Sequence, residues 1–350
     1  MLLYAVPEAD FTEKRERARL AHGMNVNATR SAHRAIFGLL SPRVITDTTI
    51  SFDPGAIGAD PAAYLRDGEA RLPDIRKGLE KEIVWHDPAR RHKTALAIVY
   101  VHGLAASKEE TRPVADEVAR AVGANLFYTR LTGCGRSSAA LVGATINDWI
   151  NDVAEAMEIG RRIGEGVLVM ATSTGAALTA WMALEATAVS RGLAALVLMS
   201  PNFRPPSPLM TFASTAAGAM ILSLMRAQRR AAVPADPALT HAWTKPVPIC
   251  AVQTALAASH LVYRADVALA AVPTLFIYSQ RDRVVFPKET DRLFEAWGGD
   301  KERFLVTGSA NPTQHVIAGR LRSPETTDVV IATIVDWLRR RGLGTWSEMP

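Results

Sequence analysis

The stretch VLVMATSTGAAL, residues 167–178, joins a continuous apolar run to a helix-forming segment through a single serine. The apolar run lacks the alternation of a strand with one face in water, so we expect a central strand that is covered on both faces. Two small residues, Ala171 and Gly175, stand two positions before and two positions after Ser173. Small residues are needed where a strand turns sharply into a helix, because larger side chains would collide with neighbouring backbone. The stretch therefore predicts a tight strand-to-helix turn that lifts the serine above a sheet.

Apolar runs and helix-period segments alternate from about residue 82 to the end of the chain. The predicted strands are EIVWH, ALAIVYVHG, NLFYTR, GVLVMATS, ALVLMSP, PTLFIYSQ and RFLVTG, and the predicted helices lie near 109–122, 146–163, 174–188, 288–297 and 324–341. This alternation is typical of an α/β fold with a mostly parallel central sheet and helices on both faces. We therefore predict that fold class.

Two regions interrupt the alternation. Residues 1–80 precede it and are predicted to be helical at about 10–40, so we expect an N-terminal helical extension packed on the core. Residues 201–266 lie between two strands and open with the proline-rich PNFRPPSP. We expect several short helices there, forming a lid over the carboxyl ends of the strands, where open α/β sheets bind ligands. The core would then comprise residues 81–200 and 267–350.

Composition and charge narrow the class of protein. Of the 350 residues 48% are hydrophobic and 21% are charged, as in an ordinary soluble protein. The net charge is +5, but Lys and Arg are scattered in short clusters, so we expect solvated faces and no nucleic-acid partner. The first apolar run is too short for an export signal, and Cys134 and Cys250 show no metal-ligand spacing. These features predict a cytoplasmic protein without a disulfide or a metal site.

The longest apolar stretch is PLMTFASTAAGAMILSLM, residues 208–225, which carries no charge and approaches the length of a membrane span. Its serine, threonine and glycine content makes it a poor anchor. We therefore expect no stable membrane insertion, although this composition permits transient contact with a lipid surface.

A serine nucleophile needs a general base, and the base needs an orienting carboxylate. Asp282 follows the strand PTLFIYSQ and His315 follows the strand RFLVTG, so both fall at the ends of predicted strands. Each residue also has a simpler interpretation: Ser173 as a helix N-cap, Asp282 as a turn residue and His315 as a surface residue. Their joint placement favours a catalytic set of Ser173, Asp282 and His315.

Other residues could compete for these roles. The alternative bases lie in the insertion and the alternative acids lie in predicted helices: His241, His260, Asp291, Asp328 and Asp336. The histidines would need the lid to deliver them, and the aspartates are expected to be solvated.

The loop after the first central strand reads YVHGLAASKEE, with His102 and Gly103 directly after AIVYV. Glycine allows a turn tight enough to aim a backbone N–H into a site. We therefore expect the N–H groups of Leu104 and Thr174 to form an oxyanion hole, and His102 to shape the loop.

From about residue 82 to 342 the chain resembles the α/β-hydrolase superfamily, and the lid placement is similar to that of its monoacylglycerol lipase, carboxylesterase and serine aminopeptidase-like branch. The resemblance rests on the HG loop, the turn around Ser173, and the order of the Asp and His. It implies that Ser173 is the nucleophile, His315 the general base and acid, and Asp282 the orienting acid, with no metal or organic cofactor.

The chain departs from that family pattern in three places. Ala171 stands where a glycine is usual, Cys134 stands where a histidine is common, and the loop from Gly308 to His315 is longer than the short G-x-x-H form. We expect Cys134 to be a packed residue near the site, since a buried thiol is usually inert.

The substrate is inferred from the insertion. Its apolar side chains suit an acyl chain, and we expect Met210, Phe212 and Leu222 to bind a small-molecule acyl substrate. Acidic residues for a free amine are scarce there, because 201–266 contains only Asp236 and Asp266. We therefore expect a lipase- or esterase-like serine hydrolase. A thioesterase or acyltransferase with the same triad and a non-catalytic binding protein are the alternatives; the sequence does not indicate the oligomeric state.

Overall fold

The computed structural model describes residues 47–203 and 236–345. The strands are β1 (Glu82–Val84), β2 (Thr94–Val101), β3 (Asn125–Tyr128), β4 (Gly164–Thr172), β5 (Leu193–Met199), β6 (Thr274–Tyr278) and β7 (Lys301–Leu305). The α-helices are α1 (Pro61–Glu69), α2 (Val114–Ala121), α3 (Ser138–Val142), α4 (Ile146–Ile163), α5 (Thr174–Glu185), α6 (Pro237–Ala242), α7 (Ile249–Arg264), α8 (Pro287–Ala296) and α9 (Pro324–Arg340). Short 3-10 helices lie at Pro54–Ile57, Lys108–Glu110 and Val267–Leu269.

The seven strands form one sheet in the order β1-β3-β2-β4-β5-β6-β7. Only β1 is antiparallel to its neighbour, and the other pairs are parallel. The register pairs Val101 with Ala171 and Thr172 with Met199, so β2, β4 and β5 end close together at one edge. This edge carries the loops in which the predicted functional residues lie. The mostly parallel sheet of an α/β fold is thereby confirmed.

Apolar side chains cover both faces of the sheet. One core joins the strands to α4, α5 and α7, with Trp149 and Trp181 among its large members. The second core joins the opposite face to α2 and α9, with Trp337 fully buried. Because both faces are buried, β4 and β5 read as unbroken apolar runs instead of alternating ones.

Helix boundaries follow local capping chemistry. The helix α4 begins after Thr145, whose hydroxyl accepts from the Asp148 N–H while the Asp148 carboxylate accepts from the Thr145 N–H. It ends at Ile163, as predicted, because the residue after it, Gly164, begins β4. The helix α2 begins at Val114, five residues later than predicted, since Lys108–Glu110 form a separate 3-10 turn.

The described part of the N-terminal segment contacts the core. The Asn151 side chain of α4 accepts from the backbone N–H groups of Ser51 and Phe52, and the Tyr64 hydroxyl donates to Glu155. The predicted helix at about 10–40 lies outside the described residues. The proposed boundary at residue 80 stays a prediction.

The described part of the insertion differs from a set of short helices. It contains α6, with six residues, and α7, with sixteen, and α7 packs against α5 on the face of the sheet. The rest of the predicted lid, including the apolar stretch at 208–225, lies outside the described residues. Within residues 47–203 and 236–345, no helix is both long enough and apolar enough to cross a membrane.

Candidate active site

Ser173 occupies the sharp turn between β4 and α5. Its φ of 53° and ψ of −114° place a non-glycine residue in a region that L-amino acids rarely adopt. Two backbone hydrogen bonds hold it there: the Ser173 N–H donates to the Met199 carbonyl at 2.9 Å, and the Asn202 N–H donates to the Ser173 carbonyl at 3.0 Å. The strained serine is therefore fixed by the end of the adjacent strand.

The small residues around the serine have a steric cause. A Cβ added at Gly175 would lie 2.5 Å from the carbonyl oxygens of both Val101 and His102. These are backbone atoms at the end of β2, which cannot move aside without disturbing the sheet. The close approach of α5 to β2 therefore requires glycine at 175, whereas Ala171 is fully buried and fits.

Three predicted residues meet in one chain of hydrogen bonds. The Ser173 Oγ lies 3.0 Å from His315 Nε2, and His315 Nδ1 lies 2.7 Å from Asp282 Oδ2. Because an ionised carboxylate only accepts, Nδ1 carries the proton, and Nε2 of the neutral ring accepts from the serine hydroxyl. All three residues are at least nine-tenths buried.

The loop after β6 fixes the Asp282 carboxylate. Its other oxygen, Oδ1, accepts from the backbone N–H groups of Val284 at 2.7 Å and Val285 at 3.0 Å. One oxygen thus closes a turn while the other faces the histidine. The turn role and the orienting position, which the sequence offered as alternatives for Asp282, coexist in the same side chain.

The long loop before His315 is held by its own side chains. Asn311 is buried, accepts from the Thr313 N–H at 3.0 Å and donates to the Val316 carbonyl at 3.2 Å. Gln314 has a φ of 55°, and its amide donates to the Asn311 carbonyl at 2.9 Å. These bonds let a loop longer than G-x-x-H present the imidazole to Ser173. Asn311 and Gln314 were not predicted to hold this loop; the only signal in the sequence was an asparagine and a glutamine close before His315.

We call residues 102–107 the HG loop. His102, the first residue of this loop, accepts at Nε2 from the Leu131 N–H at 3.1 Å. Its Nδ1 therefore carries the proton and donates to the Gly103 carbonyl at 2.8 Å. Burial lowers the pKa of His102 to about 4, which keeps the ring neutral. His102 therefore shapes the loop, as expected.

A buried glutamate that the sequence analysis missed lies under the HG loop. Glu110 is 3% exposed, and its carboxylate accepts from the Gly103 N–H at 2.8 Å. A Cβ added at Gly103 would lie 3.0 Å from the Glu110 carboxylate and 3.1 Å from the Ser173 Cβ. Glu110 therefore holds the loop one residue away from the proposed oxyanion donor. Its position in the charged run KEE is typical of the solvated start of a helix, so the sequence alone did not indicate that this carboxylate is buried.

Glu110 has a pH-dependent effect on stability. Burial, the largest cause, raises the pKa of its carboxyl above the ordinary value of 4.5, so the folded chain holds this proton more tightly than the unfolded chain does. The sign follows from proton binding: the free energy of unfolding falls as the pH rises from the unfolded pKa through the folded one. Glu110→Gln keeps an acceptor for Gly103 and removes the charge. We expect it to melt higher than wild type at about pH 8 but not at about pH 4.

Thermal unfolding across that pH range measures the difference. Glu165→Gln, at a side chain that is 69% exposed, is the matched control and should show no such trend. Glu110→Ala, which removes the acceptor as well, should melt lower than Glu110→Gln throughout. A melting difference between wild type and Glu110→Gln that does not change with pH would contradict this role of the buried charge.

The remaining predicted residues are placed as follows. Leu104 lies in the HG loop and Thr174 begins α5 directly after Ser173. Met210, Phe212 and Leu222 lie outside the described residues. Cys134 is fully buried, and burial raises the pKa of its thiol to about 12, so a thiolate is strongly disfavoured.

The competing residues take no part in the hydrogen-bond chain from Ser173 to Asp282. His241 is in α6 and offers its carbonyl to Arg76, and Asp291 accepts from the Gln280 side chain. His260 lies in α7, while Asp328 and Asp336 lie in α9. In the part of the chain that the structure describes, no cluster of three or more His, Cys, Asp or Glu side chains has an arrangement that could hold a metal ion.

Solved structures share this fold. A metagenome-derived lipolytic enzyme, one of the pair LipS and LipT, superposes with a TM-score of 0.59 at 19% identity, covering 76% of this chain and 99% of that chain. A soluble variant of monoglyceride lipase from Saccharomyces cerevisiae gives 0.55 at 12% identity, covering 75% and 91%. The monoacylglycerol lipase of Paleococcus ferrophilus gives 0.51 at 14% identity, covering 74% and 98%. At these identities the likeness establishes the fold alone.

Sequence comparisons identify the family. No protein of curated function shows significant sequence similarity to the chain. Residues 92–310 match the model of the family Hydrolase_4, described as serine aminopeptidase, S33. This match spans β2 to β7, the turn at Ser173 and the loop of Asp282. The chain therefore belongs to the Hydrolase_4 family and is a hydrolase of the α/β-hydrolase superfamily.

Proposed function

We propose that this protein is a serine hydrolase that cleaves carboxylic esters through an acyl-enzyme on Ser173. The observation that carries the proposal is the unbroken hydrogen-bond chain from Ser173 Oγ through His315 to Asp282, with distances of 3.0 and 2.7 Å. Such a chain gives a serine hydroxyl a base and gives the base an orienting acid.

Acylation begins when Oγ of Ser173 attacks the carbonyl carbon of the ester. Nε2 of His315 takes the hydroxyl proton as the new C–O bond forms, and Asp282 stabilises the resulting imidazolium. The carbonyl oxygen becomes an oxyanion, which the N–H groups of Leu104 and Thr174 would stabilise. Collapse of this intermediate breaks the ester C–O bond, and His315 returns the proton to the departing alcohol.

Deacylation repeats the sequence with water. His315 removes a proton from the water as its oxygen attacks the acyl carbon, and a second oxyanion forms in the same position. Breaking the bond to Ser173 releases the carboxylic acid and returns the proton to Oγ. The helix α5 begins directly after Ser173, so its positive end lies beside the developing negative charge.

An ester fits the chain better than a peptide with a free amine. The insertion contains only two acidic residues, Asp236 and Asp266, and each accepts from a backbone N–H of its own helix start. The buried Glu110 is already occupied by the Gly103 N–H. The similar structures named above include a lipolytic enzyme and monoacylglycerol lipases, which agrees with ester chemistry. We propose that Met210, Phe212 and Leu222 bind the acyl chain.

Hydrolysis of p-nitrophenyl esters with short, medium and long acyl chains tests this function. We expect turnover that increases from short to medium chains, because a longer chain buries more apolar surface in the transition state. An acyl-CoA substrate and an added alcohol acceptor distinguish a thioesterase or an acyltransferase. Folded wild-type protein that hydrolyses none of these compounds would contradict catalysis and favour a binding protein.

A further inference from the structure

Three segments that are distant in sequence are joined to one another by hydrogen bonds, and one of them also bonds to the HG loop. They are the N-terminal segment around Arg76, the turn at 133–136, and residues 236–246, where the insertion returns to the core. We call residues 236–246 the return stem. It contains α6 and lies directly against the 3-10 turn at Lys108–Glu110, which follows the HG loop.

The return stem bonds to the HG loop at two points. The Thr244 N–H donates to the Ala105 carbonyl at 2.7 Å, and the Ser107 hydroxyl donates to the Ala242 carbonyl at 2.9 Å. All four residues are almost fully buried. Ala105 has a φ of 56°, a left-handed conformation that is unfavourable for alanine. The bond to Thr244 therefore holds a strained residue in place.

Arg76 ties the return stem to the core. Its Nε donates to the His241 carbonyl at 2.8 Å, its Nη2 donates to the Thr244 hydroxyl at 3.1 Å, and its Nη1 donates to the Arg136 carbonyl at 2.7 Å. A planar guanidinium can satisfy these three acceptors in one orientation, which lysine could not. All three acceptors are uncharged oxygens, so Arg76 serves geometry and not charge pairing.

These contacts hold the HG loop on both sides of the peptide group that carries the Leu104 N–H. On one side of Leu104, the Gly103 N–H is held by Glu110; on the other side, the Ala105 carbonyl is held by Thr244. The N–H of Leu104 lies between these two fixed points. A shift of the return stem would move the HG loop and, with it, this N–H, and small displacements of an oxyanion donor are costly.

We propose that Arg76 is a positioning residue for the oxyanion hole, acting through Thr244 and the return stem. The proposal rests on the proposed function, since it assigns the N–H of Leu104 to the oxyanion. It also gives the segment before residue 80 a role in catalysis: the arginine that this segment supplies couples the insertion to the HG loop.

Arg76→Met tests the proposal, because methionine keeps much of the apolar part of the arginine side chain and removes every hydrogen-bond donor. The matched control is Arg162→Met. Like Arg76, Arg162 donates to a backbone carbonyl of a distant segment: it lies in α4 and donates to the Pro54 carbonyl at 2.9 Å. Ser107→Ala removes a single hydroxyl and with it the second hydrogen bond between the return stem and the HG loop. Active sites are counted by fluorophosphonate titration, so that kcat refers to folded enzyme.

We expect Arg76→Met to lower kcat by about tenfold with KM within about twofold of wild type. Its affinity for a trifluoromethyl ketone, which forms a tetrahedral oxyanion on the serine, should fall by about the same factor. Ser107→Ala should show a smaller loss of the same kind, and it supports the proposal by itself if Arg76→Met does not fold. Arg162→Met should match wild type in kcat.

The outcomes separate this proposal from the proposed function. Wild-type enzyme that neither reacts with the fluorophosphonate nor hydrolyses esters would overturn the function. An active wild type with Arg76→Met and Ser107→Ala indistinguishable from Arg162→Met in kcat and ketone affinity would overturn the positioning role alone. A rise in KM without a loss of kcat would also overturn it, because that pattern reports ground-state binding.

Discussion

Replacing Ser173 by alanine is expected to lower kcat for ester hydrolysis by about a millionfold, the loss typical of removing the nucleophile from a working triad. In the proposed mechanism, alanine removes the only atom that forms the covalent bond to the acyl group, and it leaves His315 without a proton to accept. The fold should be unaffected, because the Ser173 backbone bonds to Met199 and Asn202 do not involve the hydroxyl. Steady-state hydrolysis of the best p-nitrophenyl ester measures the loss.

The interdependence of the triad gives this prediction a second part. Because Ser173 and His315 act as one unit in the proposed mechanism, the double variant Ser173→Ala/His315→Ala should be no slower than either single variant. Ser190→Ala is the control: the Ser190 hydroxyl donates to the Thr187 carbonyl in an exposed loop, and its loss should not change kcat. Losses that multiply in the double variant would show that the two residues do not act together.

Replacing Gly175 by alanine is expected to destabilise the protein by about 3 kcal/mol and to abolish most activity. Helix propensity alone would favour alanine inside α5 by about 1 kcal/mol, so a loss of stability would come from the steric clash. The added methyl would lie 2.5 Å from two carbonyl oxygens at the end of β2, forcing α5 and the turn at Ser173 away from the HG loop. Urea unfolding and ester hydrolysis measure the two effects.

Gly143→Ala is the matched control for this substitution. Gly143 has a φ of −83° and a ψ of −6°, and a Cβ added there meets no atom within 4 Å. Alanine at 143 should therefore leave activity unchanged and raise stability by about 0.5 kcal/mol, by reducing the freedom of the unfolded chain. Equal stabilities for Gly175→Ala and Gly143→Ala would contradict the tight approach of α5 to β2.

The sheet could be predicted because its strands are apolar on both faces. Runs such as VLVMA and ALVLM have no polar position that would suit solvent, so burial between two layers of helices was the expected arrangement, and it is confirmed. The proximity of the three proposed triad residues could be predicted for a related reason. Residues that follow parallel strands meet at one edge of a sheet, so the separation of Ser173, Asp282 and His315 in sequence did not conceal their proximity.

Polar contacts between distant segments could not be predicted in this way. The Arg76 guanidinium meets its partners in the return stem because the insertion folds back onto the core, which no local pattern records. Glu110 has the composition of a surface residue, and only the path of the HG loop makes it a buried acceptor. Such contacts depend on loop conformation, whereas apolar periodicity depends on the sheet alone.

Labelling with a fluorophosphonate probe, followed by peptide mapping, tests whether Ser173 is an activated nucleophile. An activated serine forms an Oγ–P bond as the P–F bond breaks and fluoride leaves, while the base takes the hydroxyl proton; this requires the base and the oxyanion donors together. We expect one label per wild-type chain, on the peptide that contains Ser173, and no label in Ser173→Ala or His315→Ala. Folded wild-type protein that remains unlabelled, or that carries the label on another residue, would contradict the proposed role of Ser173.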